Sequence, residues 1–522
     1  VRHALLTCAL FIAMNLPLSA GAADMAVVDI SDFSGGLNTR DGIGGVADNE
    51  LTESFNCYLM ARGIAKRSGF SEYNDSTRVD TAEDGMGVVY APFTGNEQSV
   101  AVAGDVIAYK GADTWTDITG DVTITAGKQF VWCMVNNTLV GVNGTDAPIY
   151  WTGTGNADSL AGENIPTSPA VCAEYAGRLF LAQGNTLYWS NYLGDWQVFH
   201  PDDYQPFNDD ITGLRVYGQM DDERLIVFTR SGIHACVFDP AIGASIGGRG
   251  VFRFSTISTR HGCVSPYSVQ ECLTADGQLA LIWADIDGLK AMFGSQVMKL
   301  TDKIQPTWDD LSDSDLNESI GVNYQARPWY LLVCRTDGAS ANNRVIVYDL
   351  RHWCVAGVFD WAVSTLGTVR ESGVEKLVGC DYNGYWHYYD SGTDDGGTAI
   401  NAYFRTKSYD GNDPLFDKGF TSVVVEQKFL GRYDLDFTVY ADFLEAVATS
   451  DYSAFTYGAI LGEWVLGVDV LRSAEAVFLN GTRTHARGRN VMVRVTDDEL
   501  TDRFEIYRIL IPYERGRMVL YR

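Results

Sequence analysis

The chain has 522 residues, with 39 Lys and Arg against 67 Asp and Glu, a formal net charge of −28. A protein this acidic does not hold nucleic acid by neutralising phosphates, because that mode needs clustered cations. With 46% hydrophobic residues, 53 Gly and few charged stripes of helical period, the composition excludes disorder and favours an all-β protein. A single compact core is exceptional at this length, so several domains or a repeat array is expected.

Residues 1–24 form a signal-like leader: Arg2, an apolar run from Leu5 to Ile12, then Ala20-Gly21-Ala22-Ala23. The competing reading is a start-site artefact, since Val stands first and Met25 opens a clean segment. The run is too short for a transmembrane span and no other segment reaches the required length. Residues 25–84 are turn-rich and read as an arm packed on the C-terminal domain. Within the arm, Glu50–Phe55 suggests a helical turn and Gly63–Lys66 a strand following a hairpin.

Residues 85–392 repeat. Runs rich in β-branched and aromatic residues begin near Gly87, Gln129, Val171, Ile211, Ser268, Ser319 and Thr365, at intervals of 40 to 57 residues. Each is followed by a Gly-, Asn- or Asp-containing turn and a partner run bearing aromatics, such as Tyr150-Trp151, Tyr188-Trp189 and Tyr385-Trp386. Spacing of this kind is that of β-propeller blades. Six or seven blades fit; about six are expected, with one unit shared or irregular. A Gly-rich insertion, Gly243 to Gly250, reads as a loop. From residue 393 to 522, period-two alternation in Val491-Met492-Val493-Arg494-Val495 and in Ile506–Ile511 predicts strands with one buried face. The expectation is a β-sandwich or barrel-like domain built from this segment and the N-terminal arm.

No nucleophile elbow, P-loop, dinucleotide fingerprint or HExxH motif is present, so no catalytic residue, cofactor or metal ligand is assigned. The ten Cys are scattered without a CxxC pair, and most fall in strand-like runs as small hydrophobes. The paired acids Asp202-Asp203, Asp209-Asp210 and Asp221-Asp222 are acidic-loop or lumen candidates, with Asp309-Asp310 and Asp394-Asp395 as further pairs. Solvated turns explain them better than calcium ligands, since none has EF-hand spacing. His261 and His387 read as packed structural residues. From Arg472 onward, ten Arg face seven acids, leaving 29 basic against 60 acidic residues in the rest. Arg487, Arg489, Arg494, Arg508, Arg515 and Arg517 are therefore candidates for protein interfaces, where Arg is the favoured cation.

Several segments in order resemble the tail nozzle proteins of short-tailed bacteriophages, also called packaged-DNA stabilisation or tail accessory proteins. They are Phe33-Ser34-Gly35-Gly36-Leu37-Asn38, the Gly63-Ile64-Ala65-Lys66-Arg67-Ser68-Gly69 element, Tyr175–Phe180 with Tyr188-Trp189-Ser190, and Ile211–Leu214. Thr259–Cys263, Val345–Asp349 and Trp353-Cys354-Val355 follow, so the resemblance spans most of residues 30–510. It implies a non-enzymatic virion protein, assembled in the host cytoplasm. The family forms a homohexamer below the portal and adaptor, bears tail fibres or tailspikes, and passes double-stranded DNA without binding it specifically. A high negative charge on such a ring repels the DNA it conducts. The leader departs from the family and supports an alternative, a secreted β-propeller that binds or cleaves glycans. A third reading is another phage tail hub or fibre-docking protein.

Overall fold

The structure, a computed structural model, describes residues 25–518 apart from 74–77, 82, 112–113, 220–221, 240–250, 313, 429–433, 443–445, 454–476 and 501–502. The leader, Asp221 and the Gly243–Gly250 insertion lie outside the described residues.

Seven four-stranded antiparallel units follow one another in the chain. Their innermost strands are Gly85–Phe93, Val131–Val135, Val171–Tyr175, Ile211–Tyr217, Gln270–Leu273, Ile320–Tyr324 and Thr365–Glu371. Each inner strand packs beside the next, and the seventh returns to the first, so the ring closes. The architecture is a β-propeller with seven blades, one more than the preferred count of six. All seven runs noted in the sequence are blades. The seventh is hard to see because its outermost strand is Phe70–Glu72, borrowed from the N-terminal arm and paired with Trp386–Tyr389.

Blade faces bury large apolar side chains against each other. Trp132 covers Gly141 on the neighbouring strand, and Phe228 meets Trp283 at 4.9 Å between blades four and five. Where the ring closes, Tyr73 is fully buried against Trp115 and Tyr388. There Lys110 Nζ of blade one donates to Glu371 at 2.7 Å and to Tyr388 OH at 3.1 Å, both on blade seven.

The second body is a pair of sheets that enclose one core. One sheet orders Val477–Gly488, Phe416–Lys428, Glu505–Met518, Ile64–Lys66 and Cys57–Leu59, with Met25–Ile30 also paired to Glu505–Met518. The other runs through Glu50–Phe55, Ala402–Thr406, Val491–Asp497, Asp434–Ala441 and Ala446–Ser453. Alternating residues of the two sheets meet between them, including Val423, Val425, Ile509 and Ile511 against Phe404, Phe437, Val493 and Val495. Glu50–Phe55 is a strand, not the helical turn suggested by its sequence. It is held antiparallel by Ala402–Thr406 and touches blade six in parallel at Phe55 and Val358, so tertiary pairing overrides its local preference. Through this strand the outer edge of blade six continues into the second body, giving one ten-stranded sheet.

The residues 63–73 tie both bodies together. Gly63 adopts φ +97°, and a Cβ there would meet Ile506 O at 2.2 Å, so only Gly fits. Lys66 is buried with Nζ 3.0 Å from Asp497 Oδ1 and 3.1 Å from Glu499 O. Arg67 is 1% exposed. Its guanidinium donates to both oxygens of Asp395 (2.8 and 2.6 Å), to Asp360 Oδ1 (2.6 Å), to Asn56 Oδ1 (2.8 Å) and to Ser68 O (3.1 Å). Gly69 then passes so close to Asp394 that a Cβ would sit 1.7 Å from its carbonyl oxygen.

Removing Arg67 takes a buried cation from two partly exposed carboxylates, Asp360 and Asp395, a change that costs about 1.5–3 kcal/mol. Arg67→Ala is expected to lower the urea midpoint accordingly, and Arg67→Ala combined with Asp395→Asn to recover part of the loss. Equal midpoints for wild type and Arg67→Ala in chemical denaturation would contradict this role.

Candidate functional site

The concave feature at the centre of the molecule is the propeller axis. A cavity of about 390 Å³ is lined by residues of all seven inner strands or their approaches, among them Tyr90, Gln129, Trp132, Arg215, Tyr267, Gln270 and Asn323. Tyr267 belongs to the connection from blade four to blade five, and its hydroxyl donates to Gln129 O across the ring at 3.3 Å. This contact straps the axis on the face that carries the interblade connections. Burial raises the Tyr267 pKa to about 12, with Glu318 adding to the effect, so it stays a neutral donor. A duplex whose major groove alone is about 12 Å wide does not pass through such a bore.

Among the described residues the wall of the cavity contains no Asp, Glu or Lys, and Arg215 is its one charged side chain. Arg215 is exposed by area yet stands at the hub of the disc, so its open surface faces the cavity. Enclosure by protein lowers its pKa, partly offset by Glu271 on the next inner strand. Glu271 in turn is pushed up by burial, against the pull of Arg215 and with the help of Glu223.

A second recess, about 300 Å³, lies between blades five and six. Phe293 and Trp353 face each other at 5.3 Å, with Tyr348 5.9 Å from Trp353, beside the polar turn residues Thr274, Asp276 and Gln278. Trp353 occupies the left-handed region at φ +56°, in a hairpin whose Asp349 accepts from the N–H groups of Arg351 and His352. A bulky residue there costs of order 1–2 kcal/mol, a strain more typical of functional positions than of plain scaffold.

The residues singled out from sequence are not brought together. Asp202 and Asp203 lie on Phe199–Pro206, the outermost strand of blade three, with Asp202 exposed and Asp203 buried. Asp209 and Asp210 follow in the connection to blade four, and Asp222 is in the turn before Arg224–Thr229. None of these borders the propeller axis. Of the six Arg, five are engaged within the chain. Arg508 makes a two-pronged contact with Asp29, Arg515 pairs with Asp413 at 2.8 Å, and Arg487 pairs with Asp417 at 3.0 Å. Arg489 lies 3.8 Å from Asp442, and Arg494 lies 3.8 Å from Glu53 with its guanidinium over Tyr403. Arg517 is exposed near the end of Glu505–Met518. His387 packs on Phe70 at 4.6 Å, and His261 is partly buried. Among the described residues there is no group of three or more His, Cys, Asp or Glu placed to hold a metal, and no helix long and apolar enough to cross a membrane.

Sequence reasoning passed over Arg215, whose run Ile211–Tyr217 read only as a strand. Trp353 was noted only as part of a family-like segment. Within Ile211–Tyr217, its one charged residue was the available signal.

No protein-family model matches the chain, and no curated protein matches it. Among solved structures it is similar to BBS1N in complex with ARL6DN, at 13% identity and TM-score 0.38, covering 62% of this chain and 96% of that one. It is similar also to YCF48 bound to D1 peptide, at 12% identity and TM-score 0.35, covering 62% and 97%. A third is the extracellular domain of the putative hybrid two component system BT4673 from B. thetaiotaomicron, at 11% identity and TM-score 0.37, covering 61% and 39%. The seven-bladed assignment rests on the strand pairing described above.

Eight of the nine described Cys are buried and all nine are free thiols. Burial pushes Cys263, Cys334, Cys354 and Cys380 up to about 12, so almost no thiolate forms at neutral pH. In native protein, iodoacetamide labelling mapped by mass spectrometry is expected to mark Cys133 before these four, which label only on unfolding. Rapid native labelling of Cys263 or Cys334 would contradict the packing.

Proposed function

We propose that the chain is a structural virion protein, a homohexameric tail nozzle that extends the DNA channel below the portal and adaptor. It retains packaged DNA, conducts it during ejection and carries tail fibres or tailspikes on the assembled virion. The observation that carries this reading is the ordered resemblance of residues 30–510 to the nozzle family, above all the Gly63–Gly69 element. That element is also the piece of chain that joins the propeller to the second body, where a family-wide motif would have a reason to be kept. The acidity supports it, because a ring of six chains at −28 each repels the polyanion it conducts. Since the propeller axis is strapped by Tyr267, the conduit on this reading lies between copies and not through a propeller.

The test is the solution mass. Light scattering or native mass spectrometry is expected to give six times the 57.4 kDa protomer, alone or after addition of portal–adaptor complexes. A protein that stays monomeric and does not join such complexes sinks the reading.

A second reading, a secreted glycan-binding propeller, draws support from the recess at Trp353. An aromatic wall beside an amide, a hydroxyl and a carboxylate suits a sugar ring, with the apolar face against the wall and the polar groups fixing orientation. On this reading the wild type retains oligosaccharides on a glycan array and Trp353→Ala loses at least tenfold in affinity. An array on which wild type binds nothing removes it.

A further inference from the structure

The central cavity holds a cation that the fold leaves unused. Arg215 makes no hydrogen bond and no ion pair with any described residue, although it stands among the inner strands. A guanidinium presents five N–H donors in a rigid fork, and at Arg215 they are open to the cavity. Its neighbours along the wall do not satisfy it. Gln129 Nε2 donates to Ser364 O at 2.9 Å, Gln270 Nε2 to Gly321 O at 2.8 Å and Asn323 Nδ2 to Glu271 O at 2.8 Å. These amide N–H groups are committed to backbone carbonyls, while the Arg215 guanidinium stands open beside a second unpartnered donor on the same wall, Trp132 Nε1. The chain has 67 acidic residues, yet none of those among the described residues lines this cavity. Glu271 acts on Arg215 through space without reaching ion-pair distance.

We propose that the propeller axis is a binding site for a small anion, a carboxylate or a phosphate, gripped in bidentate fashion by Arg215. A planar fork matches either group with two parallel N–H···O contacts, which a lysine in the same place does not provide. The volume of about 390 Å³ admits a small organic acid or a compact phosphate ester, and the Tyr267 strap makes the site blind at one end. The site is independent of the assembly state: it is complete within one chain.

The test titrates full-length protein with inorganic phosphate and, separately, with succinate, against chloride at matched ionic strength. Melting temperature and intrinsic tryptophan fluorescence are followed. A saturable response to one or both anions is expected, with none to chloride. Arg215→Gln is expected to weaken the response at least tenfold. Glu271→Gln, which removes the neighbouring negative charge, is expected to tighten it. A response to phosphate alone assigns a phosphate ligand, and one to succinate alone a carboxylate. Should Arg215→Gln fail to fold, wild-type protein treated with phenylglyoxal and mapped by mass spectrometry decides the matter. Arg215 is then protected by the anion while the exposed Arg351 is not. No response to either anion, equal responses in wild type and Arg215→Gln, or an unprotected Arg215 overturns the proposal.

Discussion

The contact on which the rest of the molecule depends is that of Arg67 with Asp395, Asp360 and Asn56. Arg67 follows the short strand Ile64–Lys66 in the sandwich and precedes the strand Phe70–Glu72 that completes blade seven. Its two carboxylate partners come from segments roughly 300 residues away, one just past blade six and one just past blade seven. A planar guanidinium meets Asp395 with two parallel bonds and still reaches Asp360, while its face lies 5.3 Å from the Trp361 ring centroid. A lysine ammonium reproduces neither the fork nor the stacking. Burial opposes the charge, and Asp395 and Asp360 outweigh it, so Arg67 stays protonated.

One consequence concerns how the ring is closed. A propeller whose last blade is finished by a distant segment joins its ends noncovalently, and here the segment is only three residues long. Phe70–Glu72 has little burial of its own, so its position must be set from outside. Arg67 and Gly69 fix it on one side, and Tyr73, buried among Trp115, Trp386 and Tyr388, fixes it on the other. The same arm supplies Glu50–Phe55, Cys57–Leu59 and Ile64–Lys66 to the sandwich, so neither body is complete without residues 25–73. Contacts at such sequence separation incur loop-closure entropy before they reward it, which makes late docking of this arm the natural order of folding.

What was legible in the sequence follows from this division. Every blade announced itself, because its second strand, buried on both faces, is written as a continuous β-branched and aromatic run, as in Arg224–Thr229 or Trp329–Cys334. The sandwich strands showed period-two alternation for the opposite reason, one face being wet. The closing strand did not show, since Phe-Ser-Glu carries no pattern and its identity as a strand comes wholly from pairing with Trp386–Tyr389. Asp395 read as a solvated turn residue for a similar reason: nothing local marks it as the partner of a buried Arg. The C-terminal Arg looked like interface residues from their count alone. Five of them have acidic partners in the same chain, several on the N-terminal arm or in turns that the sequence did not bring near. The one charge on the wall of the axis, Arg215, carried a signal too weak to stand out, a single cation in a strand.

The distribution of charge is the remaining constraint. Sixty-seven acids on one chain repel each other, and the repulsion is smallest when they lie on the periphery, screened by salt. Asp202 lies on the outermost strand of blade three and Asp209, Asp210 and Asp222 in connections at the ends of strands, while no described carboxylate lines the axis. The inner strands approach one another at the hub, where desolvation would act on any acid most strongly, and Glu271 and Glu174, at the edge of that zone, already have raised pKa values with burial as the leading cause. A neutral hub with one cation is thus the low-cost solution for a strongly acidic propeller. It also separates two roles in space. Whatever the acidic surface repels acts between molecules or along an assembly, whereas anything held at the axis is small, anionic and selected by a single Arg.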